Sequence, residues 1–192
     1  MATTATTDTS TWTHSQHLHA AGIFVLMGPI DTDTVKPAIE WILHENFVRT
    51  QRRKELVLSI CSEGGDMSSA FALIDVMRSS KLSIKTVGLG QIASAGLLIF
   101  LAGTPGRRTL TPNTSILSHQ FSWGSDGKAH ELFATIREFE LTQKRMIQHY
   151  KDCTGLTDAV IKSKLLPPHD VWLDAHDALK LNICDSISEF QR

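Results

Sequence analysis

Apolar residues fall in short runs along this chain, and the runs alternate between two periods. Residues 22–28, "GIFVLMG", are almost continuously apolar and stop at Gly28-Pro29, which predicts a buried strand. In "DTDTVKPAIEWILHENF", Val35, Ile39, Ile42 and Leu43 recur at helical spacing behind Asp31 or Thr32, either of which can cap, so a helix is predicted. "ELVLSI" (55–60) reads as a strand running into "CSEGGD", a turn whose Gly64 and Gly65 permit backbone angles closed to other residues. "MSSAFALIDVMRSS" reads as a helix and "SIKTVGLG" (83–90) as a strand, and a helix holding Ser94 follows. "RRTLTP", "TSILSHQ" and "ICDSISEF" are further short strand candidates. From Gly127 to about Cys153, Leu132, Phe133, Ile136, Phe139, Met146, Ile147 and Tyr150 recur at threes, fours and sevens. That long helix is too apolar to stand alone in water.

Strand–helix alternation with glycine-rich turns at strand ends predicts an α/β fold with a parallel sheet. Ligands in such sheets bind beyond the carboxyl ends of the strands, where both "EGGD" and "IASAG" lie.

Composition narrows the function classes. A chain of 192 residues suits one domain with a real core, and 42% hydrophobic with 20% charged residues is ordinary for a soluble globular protein. A net charge of −1 argues against nucleic acid or an anionic membrane as partner, and the basic cluster from Arg49 to Lys54 reads as a solvated loop. Cys61, Cys153 and Cys184 are far apart and form no CxxC pair, which fits free thiols in a reducing cytoplasm. The start lacks the charged and apolar regions of a secretory signal, and no apolar run reaches transmembrane length. Seven threonines in the first thirteen residues predict a flexible arm over residues 1–20. Its His14, His17 and His19 raise a metal site, but a solvated arm is the simpler reading.

The stretch "GQIASAGLLIF" sets Ser94 among small residues, between a strand end and a helix start. Small neighbours let a substrate backbone approach the hydroxyl, and a helix start offers unpaired N–H groups to an oxyanion. Gly64-Gly65 is a second source of such donors. The alternative is that Ala93, Ser94, Ala95 and Gly96 are small only for close packing. A serine nucleophile needs a base, for which His119 in "ILSHQ" is a candidate, and a third group to orient that base. Asp170, Asp174 and Asp177 all qualify, and composition does not choose among them.

Five segments together resemble the proteolytic subunit of the Clp protease, a serine peptidase family. "GPIDTDT" resembles its "GPIDDDV", "ICSEGGD" its "INSPGGS", and "GQIASAG" its "GQAASMG". "GRRTLTPNTSILSHQ" resembles "GKRYALPNSRIMIHQ", and "DVWLDAHDALKLNICD" resembles "DRFMSAEEAKEYGLID". The order and spacing agree from about residue 22 to 188. The resemblance implies a ClpP/crotonase-like core of repeated β-β-α units wound as a spiral, with a protruding handle helix in the region of about 120–153. It implies a peptidase domain over 21–192, with Ser94 as nucleophile, His119 as general base and Asp170 as its orienter. It implies an oxyanion hole from the N–H groups of Gly65 and Ala95. Gly64, together with Gly124, Ser125, Asp126 and Gly127 on a strand leading into the handle, would bind substrate. The family's stacked heptameric rings imply self-assembly through the handle, peptide or protein substrates, and an ATP-driven unfoldase as partner. The triad chemistry calls for no metal or organic cofactor.

The departures bear on partners rather than chemistry. The Thr-rich arm replaces the family's axial loops. Val57 and Ser59 stand at two tyrosine positions of the unfoldase-docking cleft, and Thr109 replaces an aromatic. Cys61, Glu63, Phe121 and His169 stand where asparagine, proline, proline and arginine are usual, and two extra residues lie around "LLPP". Such changes fit a phage- or plasmid-borne version. A silent or regulatory ring subunit and a crotonase-like acyl-CoA enzyme are the rival readings. The retained Ser–His–Asp set argues against both.

Overall fold

A computed structural model describes residues 11–48, 53–122, 124 and 126–189. Residues 1–10 of the expected flexible arm lie outside the described residues, and its remainder forms a helix, α1 (His14–Ala21). Thr13 and Gln16 close a capping box at its start, and Gly22, at φ 84°, ends it. His19 stacks flat on Phe24, His17 leans on Trp12, and no set of three metal ligands gathers among the described residues. Arg53, assigned to a solvated loop from sequence, instead pairs with the buried Glu45 at 3.0 Å and donates to the Ala20 carbonyl. Arg49 and Arg52 lie outside the described residues.

Then come β1 (Ile23–Met27), α2 (Thr32–Phe47), β2 (Glu55–Ser62), α3 (Met67–Ser79), β3 (Ser83–Ala93) and α4 (Ala95–Leu101). Asp31 caps α2 and Asp66 caps α3, each accepting from the backbone N–H three residues on. The second half holds β4 (Arg108–Leu110), β5 (Ser115–Ser118) and the 26-residue α5 (Ala129–Thr154). It closes with α6 (Asp158–Val160), a π-helical turn (Ile161–Leu165), β6 (Val171–Leu173), α7 (Ala175–Lys180) and β7 (Ser186–Ile187).

The expected α/β sheet forms in the order β1-β2-β3-β4-β7, all parallel. Leu56, Leu58 and Ile60 of β2 are fully buried, together with Ile42 of α2, Leu73 and Ile74 of α3, and all seven residues of α4. The sheet forks at β3. Thr86–Gly88 pair with β4, whereas Gln91–Ala93 pair with β5. Gly90, at φ 58°, lies between the two halves, where an L side chain would be strained. β5 in turn carries β6 as an antiparallel neighbour, a strand too short to be read from sequence.

Helix α5 spans about 39 Å at 1.5 Å per residue. Met146, His149 and Tyr150 bury its end against the core. The other end protrudes, leaving Phe133 73% and Ile136 43% exposed. Phe121 braces its root against Phe139, with ring centres 5.0 Å apart. No described helix is long and apolar enough to cross a membrane.

Candidate active site

The upper branch of the fork gathers three side chains. β3 ends at Ala93, paired with Leu117, so Ser94 leaves one strand beside the exit of His119 from the next. The Ser94 N–H donates to the Leu117 carbonyl at 3.0 Å and locks that register. β5 pairs Ser118 with Val171, which sets Asp170 opposite His119. The result is Ser94 Oγ at 2.8 Å from His119 Nε2, and His119 Nδ1 at 3.7 Å from Asp170 Oδ1. The first is a hydrogen bond. The second lies about half an ångström beyond hydrogen-bonding reach. Asp170 is 62% exposed at its side chain.

Ser94 is not inside a helix. It caps α4 with φ 53° and ψ −122°, a backbone that non-glycine residues rarely adopt. Such a turn between strand and helix lifts a hydroxyl clear of its neighbours. Both readings of the small residues hold here, at different positions. Gly96 is small for packing, since a Cβ there would lie 3.0 Å from the Ser62 Cβ. Ser94 is the residue turned outward.

The "EGGD" turn presses directly on this elbow. A Cβ on Gly64 would meet the Ser94 Cβ at 2.6 Å. A Cβ on Gly65, at φ 150°, would meet the Ile30 carbonyl oxygen at 2.2 Å. Two hydrogen bonds hold the turn there: Ile30 N–H to the Gly64 carbonyl at 2.8 Å, and Asp66 N–H to the Ile30 carbonyl at 2.7 Å. Among the described residues, neither the Gly65 nor the Ala95 N–H has an acceptor within the chain.

Of the three aspartates, only Asp170 faces His119. Asp174 caps α7, accepting from the Asp177 N–H at 2.8 Å, and Asp177 accepts from Lys180 at 2.9 Å. The two extra residues near "LLPP" follow a π turn closed by the Leu166 N–H on the Ile161 carbonyl. A π turn takes up additional backbone locally.

Three positioning residues escaped the sequence reading. Ser118 donates to the Leu165 carbonyl at 2.6 Å and shares a 2.9 Å bond with the Tyr150 hydroxyl. Gln120 donates to the Leu166 carbonyl at 3.0 Å. His119 is thus held between two anchors on the π turn. Burial pushes the Tyr150 phenol up to about 12, so it stays neutral and keeps its proton for this bond. The polar triplet "SHQ" at the end of an apolar strand was the available signal.

Gly124, Asp126 and Gly127 are exposed and precede α5 without forming the expected strand, because no described segment of the chain pairs with them. Ser125 lies outside the described residues. Val57 and Thr109 line a shallow cleft of about 200 Å³ with Ile23, Lys85 and Val87, whereas Ser59 is buried.

Residues 6–191 match the protein family Clp protease. This chain belongs to the Clp protease family. It is 31% identical over 170 residues to the ATP-dependent Clp protease proteolytic subunit of Streptococcus mutans, across 87% of this chain and 84% of that protein. It is 30% identical to proteolytic subunit 1 of Streptomyces coelicolor, across 86% of this chain and 73% of the relative. It is 33% identical over 140 residues to proteolytic subunit 1 of Chlamydia muridarum, across 72% of both chains. The family expected from the five motifs is the one the comparisons find. Within this Clp protease fold, Gly64→Ala should drive a methyl group into Ser94. Peptide turnover is expected to fall by at least ~100-fold, the usual consequence of an ångström-scale displacement. Steady-state kinetics on a variant with an intact far-UV spectrum would check it, and a wild-type rate would refute it.

Proposed function

We propose that this chain is a serine endopeptidase that cuts peptide bonds inside a ring-shaped chamber. The observation that carries the reading is the 2.8 Å contact between Ser94 Oγ and His119 Nε2 at a strained strand-to-helix elbow. In this reading Nδ1 of His119 carries the resting proton, directed at Asp170, and Nε2 accepts from Ser94. Oγ attacks the scissile carbonyl carbon while its proton passes to Nε2. The carbonyl oxygen becomes an oxyanion facing the Gly65 and Ala95 N–H groups, each such donor being worth about 3 kcal/mol in comparable sites. Collapse breaks the C–N bond, and Nε2 returns the proton to the leaving amine. Water then attacks the ester, giving its proton to Nε2, and the acid product leaves as Oγ regains the proton.

Gly64 and the segment 124–127 would seat the peptide backbone. The exposed apolar face of α5 supports stacking of two rings, heptameric as in the family, since a lone patch of this size invites aggregation. The site of action is the cytoplasm, and ATP enters only through an unfoldase partner. Docking of that partner would have to use a cleft lined by Val57 and Thr109 in place of aromatics. The 3.7 Å gap at Asp170 is the feature that favours the rival, a silent ring subunit.

Purified protein, treated with a fluorophosphonate and with a short fluorogenic peptide, decides between them. Labelling at Ser94 with turnover supports the peptidase. A folded ring that neither labels nor turns over supports the silent subunit. Ile136→Glu should place a charge on the stacking face and convert the wild-type assembly to smaller species in sedimentation velocity. An unchanged profile would remove α5 from the interface.

A further inference from the structure

A buried histidine joins α3, α4 and α5. His149 of α5 is 2% exposed, with its Nε2 at 2.8 Å from the Leu98 carbonyl of α4 and its Nδ1 at 2.9 Å from an Arg78 amino nitrogen of α3. A guanidinium can only donate, so Nδ1 is the acceptor and the imidazole proton is on Nε2, donating to Leu98. Leu98 lies one turn beyond the elbow, and its own N–H bonds the Ser94 carbonyl. We propose that His149 is a positioning residue for the nucleophile, clamping α4 so that Ser94 and the Ala95 N–H keep their places, with Arg78 fixing the tautomer that makes the clamp. This inference rests on the peptidase reading above.

The clamp has neighbours of both charges. α3 supplies Arg78 and, at the rim, Asp75. α5 supplies Asp152, 3.6 Å from Arg78, Cys153, whose sulfur lies 3.8 Å from Nε2, and, at the rim, the cations Lys144 and Arg145. α4 has no titratable side chain. Burial first, with the Arg78 charge, pushes the His149 imidazole down to about 4. The native state therefore holds His149 neutral while the unfolded chain takes up its proton near the ordinary value. Stability on this account falls as pH drops below about 6.5 and stops falling below about 4.

A purely structural role, satisfying an orphan carbonyl at the end of a buried helix, makes a different forecast. The test uses His149→Leu, which removes both bonds, and His149→Gln, whose amide can donate to Leu98 and accept from Arg78. For His149→Leu, the rate of fluorophosphonate labelling and kcat should fall about tenfold with KM and assembly size unchanged, the scale of one lost buried hydrogen bond. His149→Gln should recover most of that rate, and it should lack the stability loss between pH 6.5 and 4. Ring nitrogen resonances of the wild type should show the Nε2–H tautomer. A wild-type labelling rate in His149→Leu overturns the proposal. So does a folded His149→Gln that labels as slowly as His149→Leu. If His149→Leu does not fold, Arg78→Met takes its place: mixed tautomers with slowed labelling support the clamp, and a wild-type rate overturns it. Failure of the wild type to label at all would instead sink the peptidase reading, and the tautomer measurement stands apart from that outcome.

Discussion

Ser94→Ala is expected to abolish turnover of a short fluorogenic peptide, by on the order of a million-fold, because in the proposed mechanism triad members act as a unit and losing the nucleophile removes the acyl-enzyme route. The fold should be untouched. Ser94 sits at the cap of α4, yet its side chain makes no capping bond there, so the hydroxyl holds no part of the helix. Alanine would lose only the 2.8 Å contact to His119. The melting temperature and assembly state should match the wild type, and fluorophosphonate labelling should vanish. Purified Ser94→Ala protein that still hydrolyses the peptide at the wild-type rate would end the serine-peptidase reading.

Asp170→Asn is the second large effect, expected at roughly ten-thousand-fold in kcat. An amide opposite Nδ1 can donate as well as accept, and it stabilises the tautomer with the proton on Nε2, where Ser94 needs an acceptor. The same change at Asp174 should cost little activity and little stability, since the asparagine side-chain oxygen still accepts from the Asp177 N–H and keeps the cap of α7. Asp177→Asn should be equally mild, since it loses only an exposed pair with Lys180. The ranking is the test. If Asp174→Asn proves the crippling change, β6 pairs with β5 in another register, and the 3.7 Å contact is not the functional one.

Much of this was legible from residues alone, because it rested on local rules. The cap at Asp31, the apolar runs of β1, β2 and β3, and the seam of α5 each declare themselves within a dozen residues. What stayed hidden depended on distant partners. β6 is three residues long and exists because β5 offers it an edge. The fork at β3 follows from two different strands meeting one, which no window on "SIKTVGLGQIA" contains. The helix at His14 lay behind a threonine-rich composition, although Thr13 and Gln16 spelled its capping box. Ser118 and Gln120 were invisible as anchors, since their acceptors lie in the π turn more than forty residues on. Within the candidate site, serine and histidine were singled out by their settings. The choice among three aspartates had to come from a resemblance, and the geometry then gave each of the other two a different occupation.

The fork has a further consequence for how the molecule comes apart. Ser94 follows a strand that is paired on both sides, while His119 and Asp170 ride on a leaf of two short strands. That leaf is joined to the rest by the short ladder at Gln91–Ala93, the buried Ile116 and the anchors at Ser118 and Gln120. Regions with few such ties open in sub-global steps, ahead of the core. Ser94 and His119, the proposed proton-transfer pair, therefore belong to cooperative units of unequal strength. Warming or mild denaturant can part them while β1, β2 and β3 stay protected from hydrogen exchange, so the midpoint of inactivation lies below the midpoint of unfolding.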